Sequence, residues 1–461
     1  MAISLKETET ENKMENMPIN KLIMNVSAPI MISMLVQSLY NLVDSIFVSK
    51  ISEGAITAVA LALPLQQFMM AVGLGTAVGV NSYLSRSLGA KDYNKANKAA
   101  NNGIILAFLS FVVFFFIGLF FSETIIGLQT SDAEIVARGP IYQQICCMGS
   151  LGIFMHLMFE RILQSTGKTM YTMIAQCIGA VLNIVLDPIL IFGWFGMLKM
   201  GLSGAAIATV VSQWIGAMSV IYFCLKFNKE VKISPKFMKL DAKIVKNIYK
   251  VGIPSIVMIS IASVTVFCYN RILSKFSTTA IALLGIYYRL QGFIYMPIFG
   301  LNNGMVAIVA YNYGAKKIDR MKECIFTGLK YGTVVMVVGT IIMQVFPRPL
   351  LMMFSASEKM MSMGVVCFRI FSLSFILAGV SIICSGVFQA VGNGVLSMLI
   401  SITRQLFILV PLAYIFSLSG NVDMVWWSMP IAEALAVILS VYYLRKLLID
   451  IDKIEGNKLL N

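Results

Sequence analysis

Apolar residues occur in long, nearly unbroken runs along the chain, and short polar segments separate these runs. Runs of about 18 or more such residues are long enough to cross the hydrocarbon core of a bilayer as helices. The apolar positions are continuous rather than alternating, which favours helices over the strands of a membrane barrel. Twelve spans are predicted, at 23–48, 55–84, 97–121, 138–163, 168–194, 202–226, 247–275, 279–310, 322–346, 361–388, 395–418 and 425–447.

The two halves of the chain repeat each other at a fixed offset of 225 residues, because 26–103 aligns with 251–328 without a gap. The matched pairs include Pro29 and Pro254, Gly75 and Gly300, Gly79 and Gly304, and Gln164 and Gln389. Doubled apolar units are typical of transporters whose substrate path lies between the two halves. The sequence therefore predicts an all-α integral membrane protein. Its twelve transmembrane helices would form two six-helix lobes, related by a pseudo-two-fold axis along the membrane normal.

Polar segments set the predicted domain boundaries. Lys and Arg concentrate in the connections after the second, sixth and eighth spans, which predicts that these connections and both termini are cytoplasmic. The connection after the sixth span is predicted to be an ordinary solvated loop. The predicted segments are an N-terminal tail (1–20), an N-lobe (21–226), an inter-lobe linker (227–246), a C-lobe (247–448) and a C-terminal tail (449–461).

Composition narrows the class of protein. Of the 461 residues, 58% are hydrophobic and 13% charged, and the mean hydropathy is +0.82, which is too apolar for a soluble protein of this length. The net charge of +14 is explained by basic loops, so no nucleic-acid partner is expected. The eight cysteines show no metal-binding or redox spacing, and there is one histidine, so an enzyme is not expected. We expect a multi-pass, monomeric protein of the bacterial cell membrane, in contact with the lipid bilayer.

Two carboxylates interrupt the apolar runs of the first half only. Asp44 lies in the first span and Asp187 in the fifth, whereas the residues 225 positions later are Tyr269 and Leu412. An acid at this depth costs about 2.5–3.5 kcal/mol on insertion scales and is usually functional. The structural alternative is that Asp44 caps a broken helix and that Asp187 lies near the membrane interface.

Other polar groups accompany these acids. Asn183 lies four residues before Asp187 and shares its helix face, Pro188 frees the carbonyl of Ile184, and Thr209 could add a hydroxyl from the sixth span. Two carboxylates, an amide and a hydroxyl suit either a sodium ion or a proton shared between acids.

The remaining polar residues within spans are ambiguous. Glu160 could face a cavity and attract cations, or pair with a nearby base. Glu433 lies in the twelfth span, where three arginines of the second half could neutralise it or one another; these are Arg289, Arg369 and Arg404. His156, the only histidine, is predicted to be a hydrogen-bonded packing residue.

Together these features resemble the multidrug and toxic compound extrusion (MATE) family, over about residues 20–450. The resemblance is carried by twelve spans in two lobes, Pro29 fifteen residues before Asp44, the Asn183…Asp187-Pro188 motif and the GAAIAT stretch at 204–209. It implies an antiporter that uses alternating access to export hydrophobic, often cationic drugs and dyes in exchange for Na⁺ or H⁺. No cofactor other than the coupling ion is implied.

The resemblance also implies site residues, carried over position by position. The cation-coupling residues would be Asp44, Asn183, Asp187 and Thr209, the first three being the Na⁺ ligands if sodium is the coupling ion; Glu160, Asn41 and Gln37 would bind substrate, and Pro29 would be a hinge. The seventh and tenth spans contain no acid, which argues against a coupling site in the second lobe. The alternative is a flippase of related fold for lipid-linked oligosaccharides, whose cavity would need Arg and Lys.

Overall fold

The computed structural model describes residues 13–130, 132–354 and 356–459. Within these residues all regular structure is helical, and twelve helices are long and apolar enough to cross a membrane, as predicted. The spans are span 1 (Ile19–Val48), span 2 (Thr57–Gly89), span 3 (Tyr93–Gly127), span 4 (Ile135–Ser165), span 5 (Thr169–Phe192), span 6 (Gly201–Phe227), span 7 (Ala242–Leu273), span 8 (Thr278–Gly314), span 9 (Ile318–Val345), span 10 (Glu358–Ala390), span 11 (Gly394–Ser417) and span 12 (Val422–Lys453).

Several spans are not single regular helices. Span 4 consists of two helices that meet between Met148 and Leu151, and span 11 contains a π-helical turn over Thr403–Leu409. The turn directly precedes Pro411, which has no backbone N–H to donate to the preceding turn. The helix of span 12 continues to Leu459, so it extends into the segment predicted as a tail.

The repeat is visible in the helix caps. The hydroxyl of Ser52 accepts a hydrogen bond from the backbone N–H of Ala55 at 3.0 Å. At the equivalent place in the second half, the hydroxyl of Ser277 accepts one from the N–H of Ala280 at 3.1 Å. Serine at this position satisfies an N–H group that the first helical turn leaves unpaired. The same sequence signal therefore starts span 2 and span 8.

The turns after the repeated helices also match. Lys91 and Lys316, which follow spans 2 and 8, both have a positive φ, 57° and 58°. Gly167 and Gly392, which follow spans 4 and 10, do so as well, with φ of 73° and 87°. Matching left-handed residues at a constant offset of 225 show that the two halves are copies of one structural unit.

Two mirrored contacts between glycines and a facing helix join the halves. Gly79 of span 2 lies so close to the backbone of Ile248 in span 7 that a Cβ atom would overlap it. In the mirrored contact, Gly304 of span 8 lies against Ser27 of span 1. Small residues allow this close approach of membrane helices. We call the pairs Gly75/Gly79 and Gly300/Gly304 the glycine stripes, since Gly75 and Gly300 make the same kind of contact with Gly252 and Met31.

The halves are in contact at the end of the bundle that carries the basic connections after spans 2, 6 and 8, which we call the basic end. There the guanidinium of Arg86 donates to the carbonyl of Val391 at 3.0 Å. The hydroxyl of Ser82 donates to the carbonyl of Gln389. Gly89 lies directly on the backbone of Tyr311. These contacts between spans 2, 8 and 10 close the basic end.

A short N-terminal helix (Lys13–Asn16), which we call the N-terminal strap, lies across this closure. The carboxylate of Glu15 is 3.6 Å from Lys91 Nζ, in the first half, and 3.0 Å from Lys317 Nζ, in the second. The hydrogen bond from Lys317 holds the pKa of Glu15 below its ordinary value of 4.5. Met14 is fully buried, and Arg320 donates to its carbonyl. The strap therefore binds both halves at once.

The linker between the halves is held by span 3 rather than being an ordinary solvated loop. Three buried asparagines on span 3 bind its backbone. Asn102 accepts from the N–H of Asp241 at 2.9 Å and donates to the carbonyl of Lys239 at 3.1 Å. Asn97 and Asn101 make the same kind of bond to the backbone of Lys232 and Ser234. Sequence analysis did not predict this attachment.

Candidate functional site

The two acids predicted from the sequence lie together. Span 1 packs along span 5, and this places the carboxyl groups of Asp44 and Asp187 within hydrogen-bonding range of each other. The helix of span 1 runs unbroken from Ile19 to Ser49, so Asp44 is inside a helix and does not cap one. Asp187 has no exposed surface. The structural alternative to a functional pair is therefore wrong on both points.

Three oxygen atoms around this pair have no hydrogen-bond partner among the described residues. They are Oδ1 of Asp44, Oδ2 of Asp187 and Oδ1 of Asn183. The amide of Asn183 donates to the other oxygen of Asp187 at 3.3 Å, which orients the carboxylate. Buried acceptors without a donor are costly, and two adjacent carboxylates repel each other unless a cation or proton lies between them. The arrangement fits a small cation or a shared proton.

The number of acids also limits which ion fits. No cluster of three or more His, Cys, Asp or Glu side chains occurs in the described part of the chain. Two carboxylates and a carboxamide form an all-oxygen set with few negative charges, which suits Na⁺ or H⁺ better than a tightly held divalent metal.

A cavity of about 60 Å³ lies next to the pair, inside the first half, between spans 1, 4, 5 and 6. Its polar lining includes Gln37, His156, Glu160, Gln176, Asn183 and Thr209. Asn183 lines the cavity and also binds Asp187, so it connects the cavity to the acid pair. None of the described residues that line the cavity is Lys or Arg. Its only formal charge is the carboxylate of Glu160.

The structure brings most of the predicted site residues together. Gln37, Glu160 and Thr209 line the cavity with Asn183. Asn41 lies outside it and is exposed on span 1. Pro29 is buried within the unbroken helix of span 1. The roles assigned to these residues stay predictions.

The surroundings of Glu160 answer how its charge is balanced. One carboxylate oxygen accepts from the amide of Gln164 at 2.7 Å, and the carbonyl of the same side chain accepts from Arg161 at 2.9 Å. Gln164 therefore lies between the acid and the base. Glu160 keeps a place on the cavity wall without a direct bond to Arg161.

The acid of the second half has a different environment. Glu433 is 6% exposed and forms an ion pair with Arg404, the residue 225 positions after Gly179. Gly179 lines the cavity of the first half, whereas the long side chain of Arg404 meets an acid. One of the three candidate arginines thus neutralises Glu433, as the sequence allowed.

Sequence reasoning missed part of the cavity wall. Tyr40, Gln176 and Gln213 line it, and their spacing relative to known site residues was the available signal: Tyr40 lies four residues before Asp44 and Gln213 four after Thr209. His156 is buried as predicted, but its Nε2 has no hydrogen-bond partner among the described residues. The prediction of a hydrogen-bonded packing histidine was therefore only partly correct.

A doubled twelve-helix bundle with an acid pair in one half defines a membrane transporter of the inverted or repeated type. The MatE family model matches the chain twice, at residues 29–189 and 254–415, once in each half. The chain belongs to this family, as the sequence motifs suggested.

Similar proteins agree with this assignment. The multidrug export protein MepA of Staphylococcus aureus (strain MSSA476) is 30% identical over 448 residues, which cover 96% of this chain and 98% of that protein. MepA of Staphylococcus haemolyticus is 29% identical over 444 residues, 95% of this chain and 96% of that protein. A solved outward-facing multidrug resistance MATE transporter superposes with a TM-score of 0.91 at 25% identity, covering 97% of this chain and 100% of that one.

Proposed function

We propose that this chain is a multidrug efflux antiporter of the bacterial cell membrane. It exports hydrophobic, often cationic compounds in exchange for Na⁺ or H⁺. The observation that supports this best is a pair of buried acids with unpartnered oxygens beside a cavity that lacks basic residues. The MepA relatives, which are named as multidrug export proteins, support the same substrate class. All proposed site residues come from one chain, so a monomer suffices.

Coupling in this proposal depends on competition at a shared residue. Asn183 both orients Asp187 and lines the cavity, so occupation of the acid pair by an ion changes the wall that a drug contacts. Exchange requires that ion and drug favour different conformations, since a ligand with equal affinity for two states shifts neither. A positive ion at Asp44 and Asp187 also disfavours a second positive charge near Glu160.

The closed basic end represents one of the two states. If the basic connections are cytoplasmic, as the distribution of Lys and Arg predicts, this state faces outward. The inward-facing state then requires the release of Arg86 from Val391 and of the glycine stripes from their partner helices. Pro29, within span 1, is the proposed hinge for this rearrangement.

The test is dye efflux from proteoliposomes in which Na⁺ and pH gradients are imposed separately. We expect efflux of an ethidium-type dye to follow one gradient and to stop when that gradient is collapsed by a matching ionophore. Efflux that is indifferent to both gradients would contradict antiport. The flippase alternative is not favoured, because a pyrophosphate group would enter a cavity without Lys or Arg.

A further inference from the structure

The one histidine of the chain lies on the cavity wall and is incompletely bonded. His156 is on span 4, four residues before Glu160, so the two side chains share a helix face. The side chain is 6% exposed, and its Nε2 is buried without a partner among the described residues. A buried polar atom without a partner costs about 1–3 kcal/mol. Its presence calls for an explanation beyond packing.

The fold makes room for the imidazole at this place. A Cβ atom on Gly216 of span 6 would lie 3.2 Å from Nδ1 of His156, so a larger residue there would crowd the ring. Gly216 and Gly179 both line the cavity. At the positions 225 residues later than His156 and Glu160, span 10 carries Ser381 and Ser385. The imidazole and carboxylate therefore occur only in the half that has the cavity.

The cavity wall is rich in hydrogen-bond acceptors and carries one negative charge. Glu160 supplies the charge, and carboxamide oxygens and the unprotonated nitrogen of a neutral imidazole supply further acceptors. At about 60 Å³ the space is well below the roughly 300–1,000 Å³ of a drug-sized pocket, so it admits only a head group. Guanidinium, amidinium and primary ammonium groups have N–H donors for such a wall. A quaternary ammonium has the charge without the donors.

We infer that His156 and Glu160 together bind the head group of N–H-bearing cations. Glu160 provides the charge, and His156 distinguishes these cations from quaternary ammonium compounds by accepting a hydrogen bond from them. This inference rests on the proposed function, because it specifies which cationic substrates the cavity prefers.

The test compares two probes that have a ring and a positive charge in common but differ in N–H donors: benzamidinium and phenyltrimethylammonium. Affinities are measured by calorimetry on the full-length protein in lipid nanodiscs. We expect the unmodified protein to bind benzamidinium about tenfold more tightly, the effect of one hydrogen bond to a charged group. His156→Leu should reduce this ratio to within twofold by weakening benzamidinium alone. His156→Gln, which retains an acceptor, should restore part of it, and Glu160→Gln should weaken both probes.

Ser381→Ala is the matched control in the second half, and it should leave both affinities unchanged. The inference is overturned if the unmodified protein binds the two probes equally, binds neither, or if His156→Leu weakens both by the same factor. Dye efflux in the same preparation separates the two levels of the proposal. Gradient-driven efflux without a preference for benzamidinium rejects only the role of His156, whereas absence of efflux rejects the proposed function.

Discussion

Each half of the protein buries acid within its helices, but only the second half supplies a base. In the first half, Asp44 and Asp187 lie together with one unpartnered oxygen each. In the second half, Glu433 forms an ion pair with Arg404. The helix caps and turns of the two halves match residue for residue, so the scaffold does not explain the contrast. Duplication supplied the helices, and divergence at a few positions supplied the chemistry.

The contrast separates two uses of a buried charge. An acid with a built-in cation is already neutralised and has no need of an external one. Two acids without such a partner are stable only when an ion or proton from solution joins them. The first half can therefore respond to an ion gradient, whereas the second half carries a fixed internal pair.

The largest expected effect comes from neutralising one acid of the unpaired site. Asp187→Asn keeps the shape of the side chain but removes its charge, so we expect gradient-driven efflux to fall by about 100-fold, near the upper range of coupling between sites. The measurement is initial efflux rate in proteoliposomes at matched protein content. The matched control is the double variant Arg404→Met/Glu433→Gln, which removes the acid of the other half together with its base.

We expect this control to retain efflux within about threefold, because a buried ion pair can often be replaced without loss. Normal efflux in Asp187→Asn, or an equal loss in the control, would break the comparison between the halves.

A second prediction concerns the stability of the paired site. Arg404→Met alone leaves the Glu433 carboxylate buried without a cation, and we expect it to lower the free energy of unfolding by about 2 kcal/mol. This is below the range for a fully buried pair, because the Arg404 side chain is 25% exposed. Unfolding in detergent micelles measures the effect, and adding Glu433→Gln should recover most of the loss. No recovery in the double variant would show that the charge of Glu433 is not the cause.

A third prediction uses the attachment of the linker, which also distinguishes the halves. Asn102→Leu removes two hydrogen bonds to the linker backbone, so we expect a loss of about 1–2 kcal/mol in the free energy of unfolding. The residue 225 positions later is Thr327, and Thr327→Leu is the control, with an expected change below about 0.5 kcal/mol. The same micelle assay applies. Equal losses would mean that the span 3 contacts are not specific to the first half.

The smallest effect is expected at the N-terminal strap, which joins the two halves. Glu15→Gln should weaken the closure of the basic end by about 0.2–1 kcal/mol, and less at high salt, because the ion pairs are partly exposed. Distances between spin labels at the basic ends of spans 2 and 8 would report the shift.

The pH dependence of this effect has a defined sign. The pKa of Glu15 is lowered in the folded protein, so its contribution is present above about 4.5 and is lost as the pH falls through the lower value. The variant and the unmodified protein should therefore converge at acidic pH. A difference that persists there would point to a cause other than the Glu15 charge.

The sequence predicted the spans and the acid pair well, because both depend on single residues in an apolar background. Asp44 and Asp187 stand out from their runs, and the turn between Asn183 and Asp187 places both on one face. The pairing of Glu433 with Arg404 could be narrowed only to three arginines, since the choice depends on how spans 11 and 12 rotate about their axes. The π-helical turn in span 11 contributes to that rotation and has no clear sequence signal beyond Pro411.

The cavity wall and the linker attachment were harder to predict for a related reason. Gln176 and Gln213 are ordinary polar residues in their own helices, and only the packing of spans 5 and 6 makes them neighbours. Asn97, Asn101 and Asn102 bind backbone atoms more than 130 residues away. Contacts over such separations depend on the three-dimensional fold and leave no local pattern.

The mirrored glycine stripes carry a mechanical consequence. Each stripe grips the opposite half, Gly79 on Ile248 and Gly304 on Ser27, so neither grip can slide apart while its mirror image stays seated. Separation of the two halves should then be all-or-none, with both grips lost in one cooperative step. A transporter built this way has little opportunity to stand ajar and leak.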